Sequence, residues 1–428
     1  MAKSTTLEKK GISKSGFNFL DFDKKLSKIP GFELGSVIEH NTFSEVDEWI
    51  PTGNFLLNAQ ISGSLFGGVP NSRSLGLVGD PETGKTYMCL NIAREAQKMG
   101  YDIIYCETEG AVDRKNVARM GVDTMRLRYQ PIRTVNDFKH FTVTVIDMIS
   151  KARAAGENPK IMIFLDSLGM LNTKKELDDA MAGKEASDMG LKAKQLRALF
   201  RVITLDLTAN KIPLIVTNHT TIGNIGSYTG PTKESAGGDG PIFSLSTALL
   251  MSKKFQVDET DKSVKTGIII QTRPKKSRST IPRTITVHVG FVGGMNPFVG
   301  LEEFASWEAC GVGKGKIMTA KEFAKAAEKN GEPFKYSYDE VNTKTGEVVT
   351  KTEDLVYVRN DNARWCIKHL GKSLSKASML FNKEIFTEDV LKQLDENVIQ
   401  KMFKLPEHEQ QVEELFEDEE LELNEDEI

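Results

Sequence analysis

The sequence predicts an α/β protein with a mainly parallel sheet covered by helices, and three observations carry that expectation. Between Thr52 and about Gly300, apolar strand-like runs alternate with helical patterns: Leu75 to Val78, Asp102 to Cys106, Ile161 to Leu165, Pro213 to Thr217, Ala248 to Met251, Gly267 to Gln271 and Thr284 to Val289. The early runs are separated by stretches long enough for crossover helices, which implies parallel strands buried on both faces. The later runs have short connections, so the sheet is expected to end in antiparallel strands.

The chain has 428 residues, enough for a large domain and a smaller one without disulfide or metal staples. The expected division is an arm over 1–50, a core over 51–300, a C-terminal domain over 301–404 and a tail over 405–428. The arm is rich in Lys and Ser, yet Phe19, Phe22, Leu26 and Ile29 form one helical stripe. Such a stripe packs either on the chain's own core or against a neighbouring subunit. Past Glu302 the pattern changes to a smaller α/β or α+β unit, in which Asn342 to Gly346 form a turn-rich insert suited to a hairpin.

Composition narrows the class. No apolar run approaches the roughly 18 residues of a membrane span, and Met1-Ala2-Lys3-Ser4 opens no apolar signal core, so a cytoplasmic protein without membrane contact is expected. Cys89, Cys106, Cys310 and Cys366 lie far apart with no C-x-x-C pair, which argues against a zinc site. The net charge of −4 hides an asymmetry: residues 405–428 carry twelve Asp/Glu and no Lys or Arg, leaving 56 basic against 48 acidic residues, a net of +8, in the rest. A basic body with an acidic, disordered tail points to a polyanion-binding surface and a segment able to compete for it.

The strand Leu75 to Val78 runs into Gly79-Asp80-Pro81-Glu82-Thr83-Gly84-Lys85-Thr86, which fills every fixed position of G-x-x-x-x-G-K-[ST] and opens a helical pattern at Lys85. Such a loop binds a nucleotide: its N–H groups surround the β-phosphate, Lys85 reaches the β/γ oxygens and Thr86 coordinates Mg²⁺. The run Ile161 to Leu165 ends in Asp166, whose carboxylate at a buried strand end suits the same Mg²⁺. A group that prepares water is also required. The strand from Tyr101 to Cys106 delivers Glu107 and Glu109 at its exit, and the spacing does not choose between them. Thr217-Asn218-His219, at another strand end, is suited to contact the γ-phosphate.

Two long segments flank these strands and read as mobile functional loops. Leu168 to Asp188 contains Lys174, Lys175 and Lys184 and leads to Met189-Gly190; Thr220 to Gly240 contains Gly223, Gly226, Gly230, Gly237, Gly238 and Tyr228. Lysines and glycines suit close approach to a phosphodiester backbone, and Met189 or Tyr228 suits base contact. A further cluster, Arg273, Lys275, Lys276, Arg278 and Arg283, contains no acid and is read as a solvated face or as meeting DNA phosphates or a neighbour's nucleotide.

With these pieces in order, the chain resembles the RecA recombinase superfamily, most closely the UvsX recombinases of tailed phages. The resemblance covers roughly Thr52 to Gly300 and is densest from Ile163-Phe164-Leu165-Asp166-Ser167-Leu168-Gly169 through Lys174-Lys175-Glu176, Ser187-Asp188-Met189 and Leu199-Phe200-Arg201 to Asn218-His219-Thr220. It implies a RecA-like ATPase core using ATP and Mg²⁺. It implies a catalytic carboxylate twelve residues before the glycine of Gly121-Val122-Asp123, hence Glu109, with Glu107 supporting. It assigns His219 to the γ-phosphate switch, Lys276 and Arg278 to a basic pair reaching the neighbour's ATP, and Asp113 to an acid near adenine. Asn116 stands where relatives carry an adenine-stacking Tyr. The expected activity is DNA-dependent ATP hydrolysis driving strand exchange in a helical filament on single-stranded DNA, with double-stranded DNA, a single-strand-binding protein and a mediator as further partners. A ring helicase and an ATP-gated DNA scaffold are the alternatives.

Overall fold

The computed structural model describes residues 18–29, 43–184, 189–223, 232–235, 240–258, 260–329, 355–360 and 364–406. The chain groups into two units, 1–46 and 47–428. The first contains helix α1 (Phe19–Leu26), with Asp21 in its first turn and Lys24 and Lys25 in its last, the arrangement its dipole favours.

The second unit opens with β1 (Trp49–Ile50), α2 (Phe55–Ser62) and β2 (Val69–Pro70). The alternating portion follows as β3 (Ser74–Gly79), α3 (Lys85–Lys98), β4 (Asp102–Glu107), α4 (Arg114–Arg119), β5 (Leu127–Pro131), α5 (Val135–Ala154), β6 (Ile161–Asp166), α6 (Lys174–Met181), α7 (Met189–Ala209) and β7 (Leu214–Asn218). Next come β8 (Thr220–Gly223), β9 (Thr232–Ser235), α8 (Gly240–Ser244), β10 (Thr247–Val257), β11 (Lys265–Lys276), β12 (Ile285–Gly290) and β13 (Gly294–Met295). Nine strands form one sheet in the order β13-β12-β11-β10-β3-β7-β6-β4-β5. From β10 to β5 all neighbours are parallel, whereas β11, β12 and β13 join antiparallel. This is the mixed α/β sheet that the change in connection length predicts.

Alternation along each strand divides the interior in two. Ile103, Tyr105, Met162, Phe164 and Ile215 face one side with Met88, Ile92 and Ala96 of α3. Cys106, Ile163, Leu165, Leu214 and Val216 face the other with Phe138 and Ile146 of α5 and Leu196, Phe200 and Ile203 of α7. The ends of β3, β4, β6 and β7, which carry Gly79, Glu107, Asp166 and Asn218, therefore open together on the C-terminal edge of a sheet buried on both faces.

The C-terminal portion adds α9 (Trp307–Cys310), β14 (Val312–Thr319), α10 (Ala320–Lys329), β15 (Leu355–Val358), β16 (Arg364–Ile367) and β17 (Lys372–Leu374), a four-stranded sheet in the order β15-β14-β16-β17. It ends with α11 (Glu388–Leu394), one π-helical turn (Asp395–Ile399) and α12 (Gln400–Phe403). Leu391, Leu394, Ile399 and Phe403 join the α3-side core, so this portion shares apolar packing with the large sheet. The Arg283 guanidinium donates to the Met402 carbonyl at 2.7 Å and faces the Phe403 ring, a structural engagement within the basic cluster that the charge pattern alone does not suggest.

Two expectations are corrected. Leu168 to Asp188 is not one long loop: Leu168–Met170 form a 3₁₀ turn and α6 follows, started by a capping box in which Thr173 and Glu176 satisfy each other's backbone N–H. The ends of the glycine-rich segment are ordered too, because β8 and β9 pair antiparallel from Thr220↔Ser235 to Gly223↔Thr232. Tyr228, Gly237, Gly238, the Asn342 to Gly346 insert and the acidic tail from 407 onward lie outside the described residues.

Candidate functional site

The phosphate loop is shaped by positions that only glycine fills. A Cβ at Gly79 would stand 2.5 Å from the Met251 carbonyl oxygen, and Gly84 has φ +89° with Ile270 Cδ1 2.8 Å from a would-be Cβ. The loop thus lies tight against β10 and β11, and α3 starts at Lys85 with its N-terminal N–H groups turned into the loop. Lys85 is 6% exposed and its Nζ donates to the carbonyls of Gly79 at 2.9 Å and Asp80 at 2.8 Å. Burial lowers its pKa, opposed by the negative charges of Asp166, Glu109 and Asp80. Glu82, at the loop's tip, pairs with Lys253 of β10 at 2.8 Å.

Asp166 closes β6 under this loop. Its Oδ2 accepts from Thr86 Oγ1 and from Tyr105 Oη, both at 2.7 Å, and its Oδ1 accepts from Thr217 Oγ1. Burial, with the negative charges around it, pushes the Tyr105 pKa well up, so the phenol remains a donor. A buried carboxylate beside a threonine hydroxyl at the start of a phosphate-loop helix is an all-oxygen donor set. That set fits Mg²⁺, which takes one or two protein oxygens and completes its shell with water and phosphate. Among the described residues no group of three or more His, Cys, Asp or Glu stands together that could hold a metal ion by itself.

The two carboxylates at the exit of β4 part company. Glu107, 3% exposed, accepts from the backbone N–H of Gly110 at 2.6 Å, of Ala111 at 2.9 Å, and from Tyr129 Oη at 3.0 Å. It braces the turn that carries the next residues. Glu109 faces outward, with its Oε1 2.8 Å from Ser167 Oγ and 3.0 Å from His219 Nε2. Burial raises the Glu109 pKa, but the bonds from His219 and Ser167 and the charges of His219 and Lys85 outweigh it, holding the carboxyl below its ordinary range. His219 Nδ1 is buried with no hydrogen-bond partner among the described residues, an orphaned polar atom of the kind a bound ligand satisfies.

Asp113 caps α4, accepting from Lys115 N and Asn116 N at 2.8 and 3.0 Å. Asn116 donates to the same carboxylate at 2.6 Å and accepts from Arg119 at 3.1 Å, so the exposed pair is tied together on the helix that follows Glu109. On the far side of the site, Phe291 is 61% exposed at the turn after β12; the Tyr87 hydroxyl accepts from Met295 N at 2.8 Å and fastens that turn to α3.

Lys276 and Arg278 are not beside their own phosphate loop. Lys276 is level with Ala248, and Ala248 with Gly76, three residues before Gly79 on β3, so the pair lies toward the opposite edge of the sheet. Lys276 Nζ donates to the Phe243 carbonyl in α8, and its pKa is lowered by burial and by Arg278.

Lys174, Lys175 and Lys184 are exposed on and after α6, and Gly190 is exposed in the first turn of α7. Sequence reasoning missed a basic cavity of about 530 Å³ lined by Lys194, Arg197, Arg201, Gly240 and Ser244, between α7 and α8. The signal was present: cations at i, i+3 and i+7 share one helix face. The roles of Ser167 and Tyr105 were missed as well, because neither hydroxyl fills a fixed position of the phosphate-loop motif.

Comparison with known proteins gives this geometry a family. A model described as the RecA N-terminal domain matches residues 22–296. The "Recombination and repair protein" of Enterobacteria phage T4 is 28% identical over 292 residues, 67% of this chain and 70% of that protein. "Protein RecA" of Fusobacterium nucleatum is 28% identical over 248 residues, 58% of this chain and 61% of that protein, and "Protein RecA" of Colwellia psychrerythraea is 26% identical over 307 residues, 68% and 83%. The matched domain covers the phosphate loop, Glu109, Asp166, His219 and the whole nine-stranded sheet, and the chain belongs to the RecA recombinase family.

Proposed function

We propose that this protein is a DNA-dependent ATPase that polymerises on single-stranded DNA and carries out homologous pairing and strand exchange. The observation that carries the reading is the Glu109–His219 bond at 3.0 Å, because it joins a carboxylate beside Lys85 to the residue that immediately precedes β8. A change at the phosphates is thereby transmitted to the glycine-rich segment, where DNA is to bind.

Lys85 and the loop N–H groups bind the phosphates, and Thr86 with Asp166 would hold Mg²⁺, which neutralises charge on the β- and γ-phosphate oxygens when bound. Glu109, kept ionised by its neighbours, accepts a hydrogen bond from the attacking water and orients it. Glu107 fixes the turn from which Glu109 projects. His219, with one ring nitrogen on Glu109 and the other uncommitted, is suited to sense the γ-phosphate. With Asn116 in place of an aromatic, the exposed ring of Phe291 is the candidate for contact with the base. Asp113, the cap of α4, is the acid proposed to lie near adenine.

Lys276 and Arg278 serve a neighbouring subunit's ATP, a reading supported by their register away from their own loop. A site shared head to tail in this way generates a helix unless the ring closes. Lys174, Lys175, Lys184, Met189, Gly190, Gly223, Tyr228, Gly237 and Gly238, together with the basic cavity on α7, form the proposed path for DNA. The decisive experiment is electron microscopy with single-stranded DNA and a nonhydrolysable ATP analogue, paired with an ATPase assay with and without DNA. Filaments and DNA-stimulated turnover are expected; closed rings with duplex unwinding would make the protein a helicase instead, and binding without turnover a scaffold.

A further inference from the structure

Asp80 stands immediately after the first glycine of the phosphate loop, and its two ends are fastened to different things. Its carbonyl accepts from Lys85 Nζ at 2.8 Å and from Thr83 Oγ1 at 2.9 Å, so its peptide moves with the groups that meet phosphate. Its carboxylate accepts from Thr220 Oγ1, the first residue of β8. This is a route from the phosphate loop to the glycine-rich segment that does not pass through Glu109 or His219.

The Lys85 ammonium can donate to the carbonyls of Gly79 and Asp80 or to phosphate oxygens, and its three protons cannot satisfy both sets fully. A phosphate that draws Lys85 toward itself relieves the Asp80 carbonyl and brings negative charge close to the Asp80 carboxylate. The Asp80–Thr220 bond then has different free energies with and without phosphate, which is the condition for coupling two sites.

We propose that Asp80 is a positioning residue that couples phosphate binding to β8 through Thr220, and so helps set how strongly nucleotide changes affinity for single-stranded DNA. The DNA half of this inference rests on the recombinase reading above; the coupling to β8 does not.

The test uses the full chain and two readouts. The first is hydrogen exchange of the backbone amides at 220–223 with and without Mg²⁺ and ATPγS, in the absence of DNA. Nucleotide is expected to change protection in the wild type, to have little effect in Thr220→Val and Asp80→Ala, and to act normally in Thr220→Ser, which keeps the hydroxyl. The second is the ratio of single-stranded DNA affinities with and without ATPγS. Each of Thr220→Val and Asp80→Ala should change this ratio by about fivefold or more, within the usual span of allosteric coupling, and the double variant no further than either alone. Equal exchange responses in wild type and Thr220→Val, independent effects in the double variant, or a Thr220→Ser protein that behaves like Thr220→Val would each overturn the inference. A wild type whose DNA affinity ignores nucleotide, while its exchange at 220–223 responds and that response needs Thr220, would defeat the recombinase reading and leave the bridge standing.

Discussion

Lys85 and Glu109 are close enough for the charge of each to act on the other, yet the roles proposed for them are different. Lys85→Ala removes a phosphate contact, so nucleotide-dependent assembly on DNA should be lost. Glu109→Gln keeps the shape and should retain ATP and DNA binding while turnover falls about 10²–10⁴-fold, the usual contribution of a positioned base. Equal loss of ATP affinity in the two variants would contradict these roles. Acidity gives a finer test. Ser167 donates to the charged form of Glu109 at 2.8 Å, so Ser167→Ala should raise the carboxyl's pKa. Ionised Glu109 is then lost at a higher pH, and the acid limb of kcat/KM should move up; a limb that stays or moves down rules the assignment out. At this scale the sequence is only half legible. Spacing cannot separate Glu107 from Glu109, because what separates them is whether the N–H groups of Gly110 and Ala111 fold back onto the carboxylate. The three hydroxyls around Asp166 come from positions 86, 105 and 217 and meet only when the strands assemble.

At the scale of elements, apolar runs reveal the strands buried on both faces, since β3, β4, β6 and β7 must be apolar on each side. They understate β10 and β11, which extend to Val257 and from Lys265, because the antiparallel end of the sheet tolerates Lys253, Lys254 and Lys265 on surfaces that reach solvent. They miss β5, whose Arg128 and Tyr129 are exposed at the sheet's edge, and α6, whose polar helix is announced only by its capping box. The closing helix is a packing prediction that the sequence does not make. Phe403 is fully buried in the α3-side core, Phe403 O accepts from Ile281 N at 2.8 Å, and Arg283 holds the preceding carbonyl. Phe403→Ala should therefore destabilise the protein by about 3–5 kcal/mol through the cavity it leaves, measurable as a shift of the denaturation midpoint at constant slope. Arg283→Ala should cost less, since only one carbonyl loses its donor. If Phe403→Ala leaves the midpoint unmoved, the C-terminal helix is not part of the folded core.

At the scale of the whole molecule, two charge arguments lead to assembly and its restraint. Because Lys276 and Arg278 are registered away from their own loop, an Arg278→Ala subunit retains a usable phosphate loop and a Lys85→Ala subunit retains a usable basic pair. Mixing the two should restore hydrolysis at interfaces that combine both; verified mixed assemblies no more active than the separate proteins would exclude a site shared between subunits. The tail acts in the other direction. Residues 405–428 carry twelve Asp/Glu and no Lys or Arg, against a net of +8 in the rest of the chain, and are expected to compete with DNA for basic surface. Deleting 405–428 should tighten duplex binding chiefly at low salt, because DNA binding gains from counterion release and exposed charges are screened beyond about 8 Å at physiological ionic strength. Hydrolysis at saturating single-stranded DNA should change little, since the proposed phosphate and water contacts, Lys85, Thr86, Asp166 and Glu109, all lie outside residues 405–428. The discriminating measurement is duplex affinity against salt for the full and shortened chains: curves that converge as salt rises identify electrostatic competition, and curves that superimpose throughout assign those carboxylates to solubility or to docking another protein.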